Sequence, residues 1–534
     1  GAAMNYDPND LYGVLPALIL SAGALLLLTS EVFLRNVKPA VLGPAPGPAE
    51  EAQRQLPPGS DAKPQAVPAP PDRRYQAWVA AAFAAAALWA ALSRLGDPAV
   101  SLFSGAAASD GFARVVAAVV CAALLFSCIV AFSYLESLRA TRGEFYALAL
   151  FSAAGMCLLA QATDLIVIFI SLEVMSLAVY ALRAYLRRGK RPAAAAFKYF
   201  ILGSFASAIF LYGAALAFGA TGSTRLADVA AALRSGGPSG ASTLLYAAVA
   251  LLASGFAFKV AAVPFHMWVP DVYDGAPAPV TGFMAAGVKA AAFATLVRIL
   301  VSGFGDASAG PRGWRALVIW LALLTMLFGN LLAIPQRSVK RMLAYSAIAH
   351  AGYLLVAVAS MASASPRPDA TQGLLFYLAS YAVTVIGAFG VVAIIERRLA
   401  MSGVGDDLSS WAGLSDRHPG LAAAMSLFMV SLAGIPPTAG FMAKLTVFRA
   451  AIEAGLAPVA IFGVLTSVAG LYYYLRVVVY VYMYPSAKGE PVLGGRLLSA
   501  GLAIAGCALI VLWMGIQPGT FASLTQSAAN AFGR

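Results

Sequence analysis

Long apolar runs recur along almost the whole chain, separated by short polar or charged segments. Each run holds roughly 18 or more apolar residues, enough to cross a bilayer core of about 30 Å as a helix. The pattern predicts fourteen spans, at 11–34, 75–95, 112–134, 145–162, 164–186, 195–220, 243–272, 276–303, 314–334, 339–362, 371–397, 420–454, 456–484 and 494–516. The seventh and twelfth are long and contain internal prolines, Pro264 in one and Pro436-Pro437 in the other. The first run is too long for the core of a signal peptide and has no basic segment before it, so it reads as a membrane helix. Residues 36–73 depart from the pattern. They are rich in Pro, Ala, Gln and charge, and they predict an extended or disordered insertion with no catalytic role.

Composition narrows the class. The chain is 60% hydrophobic and only 11% charged, against about 25% charged in soluble domains. The expected fold is therefore an all-α, polytopic membrane protein of about fourteen helices. The net charge of +12 does not point to nucleic acid, because the basic residues lie between apolar runs and form no single patch. Loops after odd-numbered spans hold most of them, with the densest cluster at Arg183, Arg187, Arg188, Lys190 and Arg191. The positive-inside rule then puts those loops in the cytoplasm, against anionic lipid, and both termini on the other side. Cys121, Cys128, Cys157 and Cys507 all fall inside apolar runs without a CxxC pair. Iron–sulfur, zinc and disulfide frameworks are not expected from such a pattern, and no metal or cofactor site is expected in the chain.

Four ionisable residues stand where charge is expensive. Glu173, Lys259, Lys289 and Lys444 each lie within a different apolar span. A charged side chain at a helix centre costs about 2.5–3.5 kcal/mol on insertion scales. The plain alternative is a structural ion pair, with Glu173 and Lys259 as its members. One carboxylate cannot neutralise three ammoniums, so that alternative leaves two lysines unexplained. Taking an ammonium out of water weakens its hold on a proton, and an approaching carboxylate strengthens it. A Lys/Glu set of this kind can therefore load and release protons as the distance between partners changes.

The prolines support an ion path. Proline removes a backbone donor and frees carbonyls, and broken helices inside a membrane persist only where protein or water satisfies the backbone. Both proline sites, Pro264 and Pro436-Pro437, lie close in sequence to a candidate buried lysine. His266 and His350 are further relay candidates, since imidazole titrates near neutral pH; the ordinary alternative is a core or helix-end histidine. Lys198 sits at the end of a span, where a snorkelling flank residue is the simpler reading. Asp271, Asp274 and Asp164 are expected to cap helices, and His418 is expected to be a structural loop residue.

Three segments carry a family resemblance: LEVMSLAVYAL at 172–182, FKVAAVPFHMWVPDVYDGAPAPVTGFMAAGVKAAAFA at 258–294, and AGIPPTAGFMAKLTVF at 433–448. They resemble the antiporter-like subunits of respiratory complex I, a family shared with multisubunit cation/proton antiporters and membrane-bound hydrogenases. FHMWVPDVYDGAP, and Lys rather than Glu at 444, are most similar to the N-type branch. The resemblance covers roughly residues 140–480. It implies two inverted five-helix repeats, 141–303 and 304–484, with broken helices seven and twelve. Residues 1–140 would precede them as helices one to three, and 485–534 would follow as helix fourteen. It implies that Glu173 and Lys259 form a coupling pair, that Lys289 continues a lateral path, that Lys444 is its terminal proton site, and that Lys198 belongs to the same set.

The function implied is that of a proton-moving subunit of NADH:quinone oxidoreductase in a bacterial inner membrane. Flavin, iron–sulfur clusters and quinone are expected in partner subunits, since the chain has no dinucleotide fingerprint or cysteine cluster of its own. A subunit of a cation/proton antiporter complex is the alternative. An inert membrane scaffold is the second.

Overall fold

The computed structural model describes residues 7, 10–34, 74–138, 140–186, 190–235, 241–308, 313–362, 367–402, 407–485 and 498–532. The expected insertion at 36–73 lies outside these residues, as do Arg187 and Arg188 of the basic cluster.

The apolar runs form helices because a chain in hydrocarbon must satisfy its backbone hydrogen bonds within the segment. The helices are α1 (Leu15–Leu34), α2 (Arg74–Leu92), α3 (Gly111–Ser137), α4 (Gly143–Gln161), α5 (Leu165–Arg183), α6 (Lys190–Thr221), α7 (Ala241–Lys259) and α8 (Val269–Gly275). They continue as α9 (Ala278–Gly303), α10 (Trp314–Ala333), α11 (Val339–Ser360), α12 (Pro368–Ser402), α13 (Pro419–Ala433), α14 (Ala439–Glu453), α15 (Ala457–Met483), α16 (Leu498–Ile516) and α17 (Gly519–Ala531). Among the described residues, twelve helices are long and apolar enough to cross a membrane. The expected seventh and twelfth spans are each interrupted, between Lys259 and Val269 and between Ala433 and Ala439. Each break contains a cis proline peptide, at Val263–Pro264 and Pro436–Pro437.

Starts and stops follow local chemistry. Asp110 caps α3, accepting from the Ala113 amide at 2.8 Å. Asp164 caps α5 through the amides of Ile166 and Val167, as expected of it. Gly434 ends α13 in the left-handed region at φ 85°, where glycine carries no steric penalty.

Helices α9, α11 and α12 form the centre. About nine-tenths of each is buried, against less than two-fifths of α1, α6, α15 and α16. Helix α10 packs along α11 and α7 along α6, while α12 touches α3, α14 and α16. Short helices at Leu226–Arg234 and Leu414–Arg417 and two further features add to the expected helical set. A small antiparallel hairpin pairs Val100–Leu102 with Ala107–Ser109, and α17 follows α16. Helix α17 escaped the hydropathy reading because it is only partly apolar. It folds back on α3, with Ala528 against Gly111 and the ring of Phe532 4.5 Å from that of Phe112.

Candidate functional site

Lys259 is the last residue of α7, at the lip of the first break, and is 4% exposed. Its ammonium reaches across to α5 and donates to Ser176 Oγ at 2.9 Å and Tyr180 OH at 3.2 Å. Glu173 lies one turn earlier on α5, on the same face as Ser176. Its carboxylate accepts from Ser207 Oγ on α6 at 2.5 Å. The two side chains are electrostatic neighbours but form no direct ion pair among the described residues. The break itself is held by its surroundings. The Val263 amide donates to Thr325 Oγ1 at 2.9 Å, and the Trp268 indole donates to the Phe258 carbonyl at 3.1 Å.

Lys289 sits in the middle of α9, 4% exposed, directly after a π-helical turn at Met284–Val288. Such turns are often found at functional sites. Its ammonium donates to the Ala347 carbonyl on α11 and lies 4.6 Å from the centre of the Tyr381 ring. One turn along α11, His350 packs against the same ring, tilted by 38° with the centroids 4.9 Å apart. Both imidazole nitrogens meet phenols, Nδ1 with Tyr377 OH at 2.7 Å and Nε2 with Tyr474 OH at 3.2 Å. Among the described residues no hydrogen bond joins Lys259 to Lys289.

Lys444 lies on α14, just past the second break, and is 7% exposed. It donates to the carbonyls of Leu432 at 2.9 Å and Ala433 at 2.8 Å, the last residues of α13, and to Ser467 Oγ at 2.7 Å. A half-helix C-terminus carries partial negative charge, so the break itself supplies the counter-dipole. The Tyr353 ring centre is 5.2 Å away. A Cβ on Gly434 would stand 2.9 Å from Lys444 Cδ, so glycine is needed there for space as well as for its positive φ.

The remaining candidates divide. His350 joins Lys289 to the Lys444 region through Tyr381 and Tyr353. Lys198 stands apart from the buried row. It is 46% exposed and pairs with Asp271 at 2.7 Å. His266 lies inside the first break, with its Nδ1 buried and, among the described residues, without a hydrogen-bond partner. The expected capping role of Asp271 and Asp274 does not hold: both lie within α8, and the helix they precede, α9, starts after Pro277 with no side-chain cap among the described residues. Asp271 instead also meets Arg341 at 3.3 Å, and Asp274 meets Arg341 and Ser338. Arg183 donates to the Asp271 and Val272 carbonyls. Charged partners on two other helices, Lys198 of α6 and Arg341 of α11, outcompete the local amides for these carboxylates.

Several polar residues escaped the sequence reading. Tyr180, Tyr377, Tyr381, Tyr474 and Asn330 are buried or nearly so around the lysines, yet aromatic residues in an apolar run carry no signal of their own. Arg298 and Asp110 form a buried ion pair in which one guanidinium nitrogen, Nη2, donates to both carboxylate oxygens at 2.8 and 2.9 Å. Lys340 pairs with Glu396 at 3.0 Å, and Glu396 also accepts from the Ala278 amide at the start of α9. A charge at a helix end looked ordinary in sequence. All four cysteines are buried thiols, and the described residues hold no cluster of three His, Cys, Asp or Glu side chains suited to a metal.

The sequence matches the family described as NADH:quinone oxidoreductase/Mrp antiporter, transmembrane, over residues 162–470. A protein of Myxococcus xanthus named NADH-quinone oxidoreductase subunit N is 45% identical over 99% of both chains. One of Sorangium cellulosum, named NADH-quinone oxidoreductase subunit N 1, is 47% identical over 79% of this chain and 83% of that one. A chain of respiratory complex I from Thermus thermophilus with bound aureothin superposes with a TM-score of 0.73. It is 33% identical, over 95% of this chain and 98% of that one. A chain of the Mrp complex from Dietzia shares the fold at a TM-score of 0.74 and 24% identity, over 86% of this chain and 93% of that one.

Proposed function

Since the chain belongs to the NADH:quinone oxidoreductase/Mrp antiporter family, and within it to the subunit N relatives, we propose that it is a membrane subunit of a proton-translocating NADH:quinone oxidoreductase. It moves protons while partner subunits oxidise NADH and reduce quinone. The observation that carries this reading is the set of three buried lysines on three helices, each held mainly by neutral hydroxyls, carbonyls and ring faces. Groups held in this way can give up a proton without breaking a tight ion pair.

In this reading Glu173 controls Lys259. An ammonium and a carboxylate about 4 Å apart attract by about 4 kcal/mol at an effective dielectric near 20, and by about half that at about 8 Å. The difference changes proton occupancy more than tenfold. A small shift of α7 against α5 would therefore load or unload Lys259. Lys289 and His350 carry the path through α9 and α11, and Lys444 ends it. Lys198, through Asp271, holds α8 in place below the break, and His266 is the weakest member of the set. Moving one charge against 100 mV costs about 2.3 kcal/mol. That drive comes from electron transfer in the other membrane and peripheral subunits, which hold the flavin, iron–sulfur clusters and quinone.

We place the chain in a bacterial inner membrane with both termini on the non-cytoplasmic side. Counting α7 with α8, and α13 with α14, as single interrupted passages brings the total to fourteen. Helices four to eight and nine to thirteen would then be the two inverted repeats, each with one broken member beside a buried lysine.

Purification of the tagged chain from membranes in mild detergent tests the reading. NADH:quinone activity with flavin and iron–sulfur absorbance in the eluate supports it. A colourless eluate that exchanges cations for protons after reconstitution would instead establish the antiporter alternative.

A further inference from the structure

Arg183 belongs by sequence to the basic cluster of a loop, yet it ends α5 with only 2% of its surface exposed. Glu173, Ser176, Tyr180 and Arg183 follow one another at spacings of three, four and three residues, so they form one stripe along α5. The stripe faces both sides of the first break. Ser176 and Tyr180 accept from Lys259, the last residue of α7. Arg183 reaches beyond the gap to α8. There its Nε donates to the Val272 carbonyl at 3.2 Å and its Nη2 to the Asp271 carbonyl at 3.0 Å.

These side chains link α5 to the break. Helix α7 packs on α6, and α8 packs on α6 and α11; among the described residues neither packs along α5. The two sides of the gap are joined to each other by Trp268, whose indole donates to the Phe258 carbonyl at 3.1 Å, one residue before Lys259. Helix α5 therefore holds the lysine end of α7 twice. One tie is direct, through Lys259. The other runs through Arg183, α8 and Trp268.

The two ties differ in permanence. An ammonium offers three protons and a charge to its acceptors, and it loses the charge and one donor when it gives up a proton. Arginine does not deprotonate in proteins, and its partners here are backbone carbonyls, which do not titrate. Arg183 is not what places α8 on the rest of the bundle. Lys198 and Arg341 hold the Asp271 carboxylate, and Lys340 donates to the Ala276 carbonyl at 2.8 Å.

We propose that Arg183 is a positioning residue that keeps α8, and through it the end of α7, in register with α5 while Lys259 is without its proton, so that the lysine reloads at the same distance from Glu173. The reloading role rests on the proton-moving function proposed above; the mechanical link between α5 and the break does not.

Hydrogen–deuterium exchange of residues 260–276, read by mass spectrometry on the purified whole complex, tests the link. Lys259→Met removes the direct tie. Exchange should change little in Lys259→Met and rise modestly in Arg183→Met. In the double variant it should be about tenfold faster than the product of the two single effects, as for two groups that support one structure. A rise in Arg183→Met that is the same whatever stands at 259 would mean a purely local role and overturns the proposal. Protons moved per electron pair should fall in Arg183→Met while electron transfer continues. Arg183→Lys, which reaches one carbonyl at a time, should recover part of that loss. An unmoved proton ratio in assembled Arg183→Met overturns the reloading role. If Arg183→Met does not assemble, Arg183→Lys takes its place in the double variant, and the same dependence on residue 259 is expected at smaller size. If the unaltered complex transfers electrons but moves no protons, the functional reading fails and the reloading role with it, while the exchange result still decides the link.

Discussion

The two broken helices hold their lysines in opposite ways. At the first break Lys259 precedes the gap and reaches outward, to hydroxyls on a neighbouring helix that also carries Glu173. At the second, Lys444 follows the gap and turns back across it onto the carbonyls that end the preceding half-helix, α13. The first lysine therefore senses the position of α5. The second is held by a dipole built into the same interrupted passage, and no carboxylate pairs with it among the described residues. The comparison teaches that a similar helical break can make either an adjustable site or a fixed one. Which of the two it makes depends on the side of the gap from which the lysine reaches.

The largest expected effect comes from removing the fixed site. Lys444→Ala should abolish most proton pumping in assembled complex, measured as vesicle acidification per NADH oxidised, and it leaves two half-helix carbonyls short of a donor. Lys444→Arg should not restore full pumping, because arginine keeps its proton. Equal pumping by the Arg variant would mean that charge alone matters there. Glu173→Gln should come next. It preserves an acceptor for Ser207 and removes only the charge, so pumping should fall while assembly is retained. An unaltered proton ratio would break the distinction between the two lysines. Gly434→Ala should destabilise the second break by about 1–3 kcal/mol through backbone strain at positive φ, with added crowding of Lys444, read as faster thermal inactivation. The smallest effect belongs to Ser176→Ala. It removes one of two hydroxyl partners of Lys259, worth about 1 kcal/mol, and a pumping loss as large as that of Glu173→Gln would place the control of Lys259 in the hydroxyls instead.

The candidate lysines were legible because charge within an apolar run is rare and costly. Their partners were not. Tyr377, Tyr381 and Tyr474 look like any aromatic residue in a membrane helix, and Asn330 looks like one polar residue near a helix end. Asp271 and Asp274 were open to misreading for a related reason. An acid before a helix suggests a cap, and only the fold brings Lys198 from α6 and Arg341 from α11 to them.

The sequence by itself determined the membrane class, the helical architecture, the two breaks and the buried charges. Those follow from local physics: the length of apolar runs against bilayer thickness, the missing amide of proline, and the cost of an ion in hydrocarbon. The fold settles which groups face each ammonium, that Glu173 contacts Ser207 and lies one turn from Ser176, a partner of Lys259, and that Asn330 bridges the hydroxyls of Tyr353 and Tyr473. Those contacts join residues up to 143 positions apart. They depend on how helices rotate and slide against one another, and no spacing along a single chain segment encodes that.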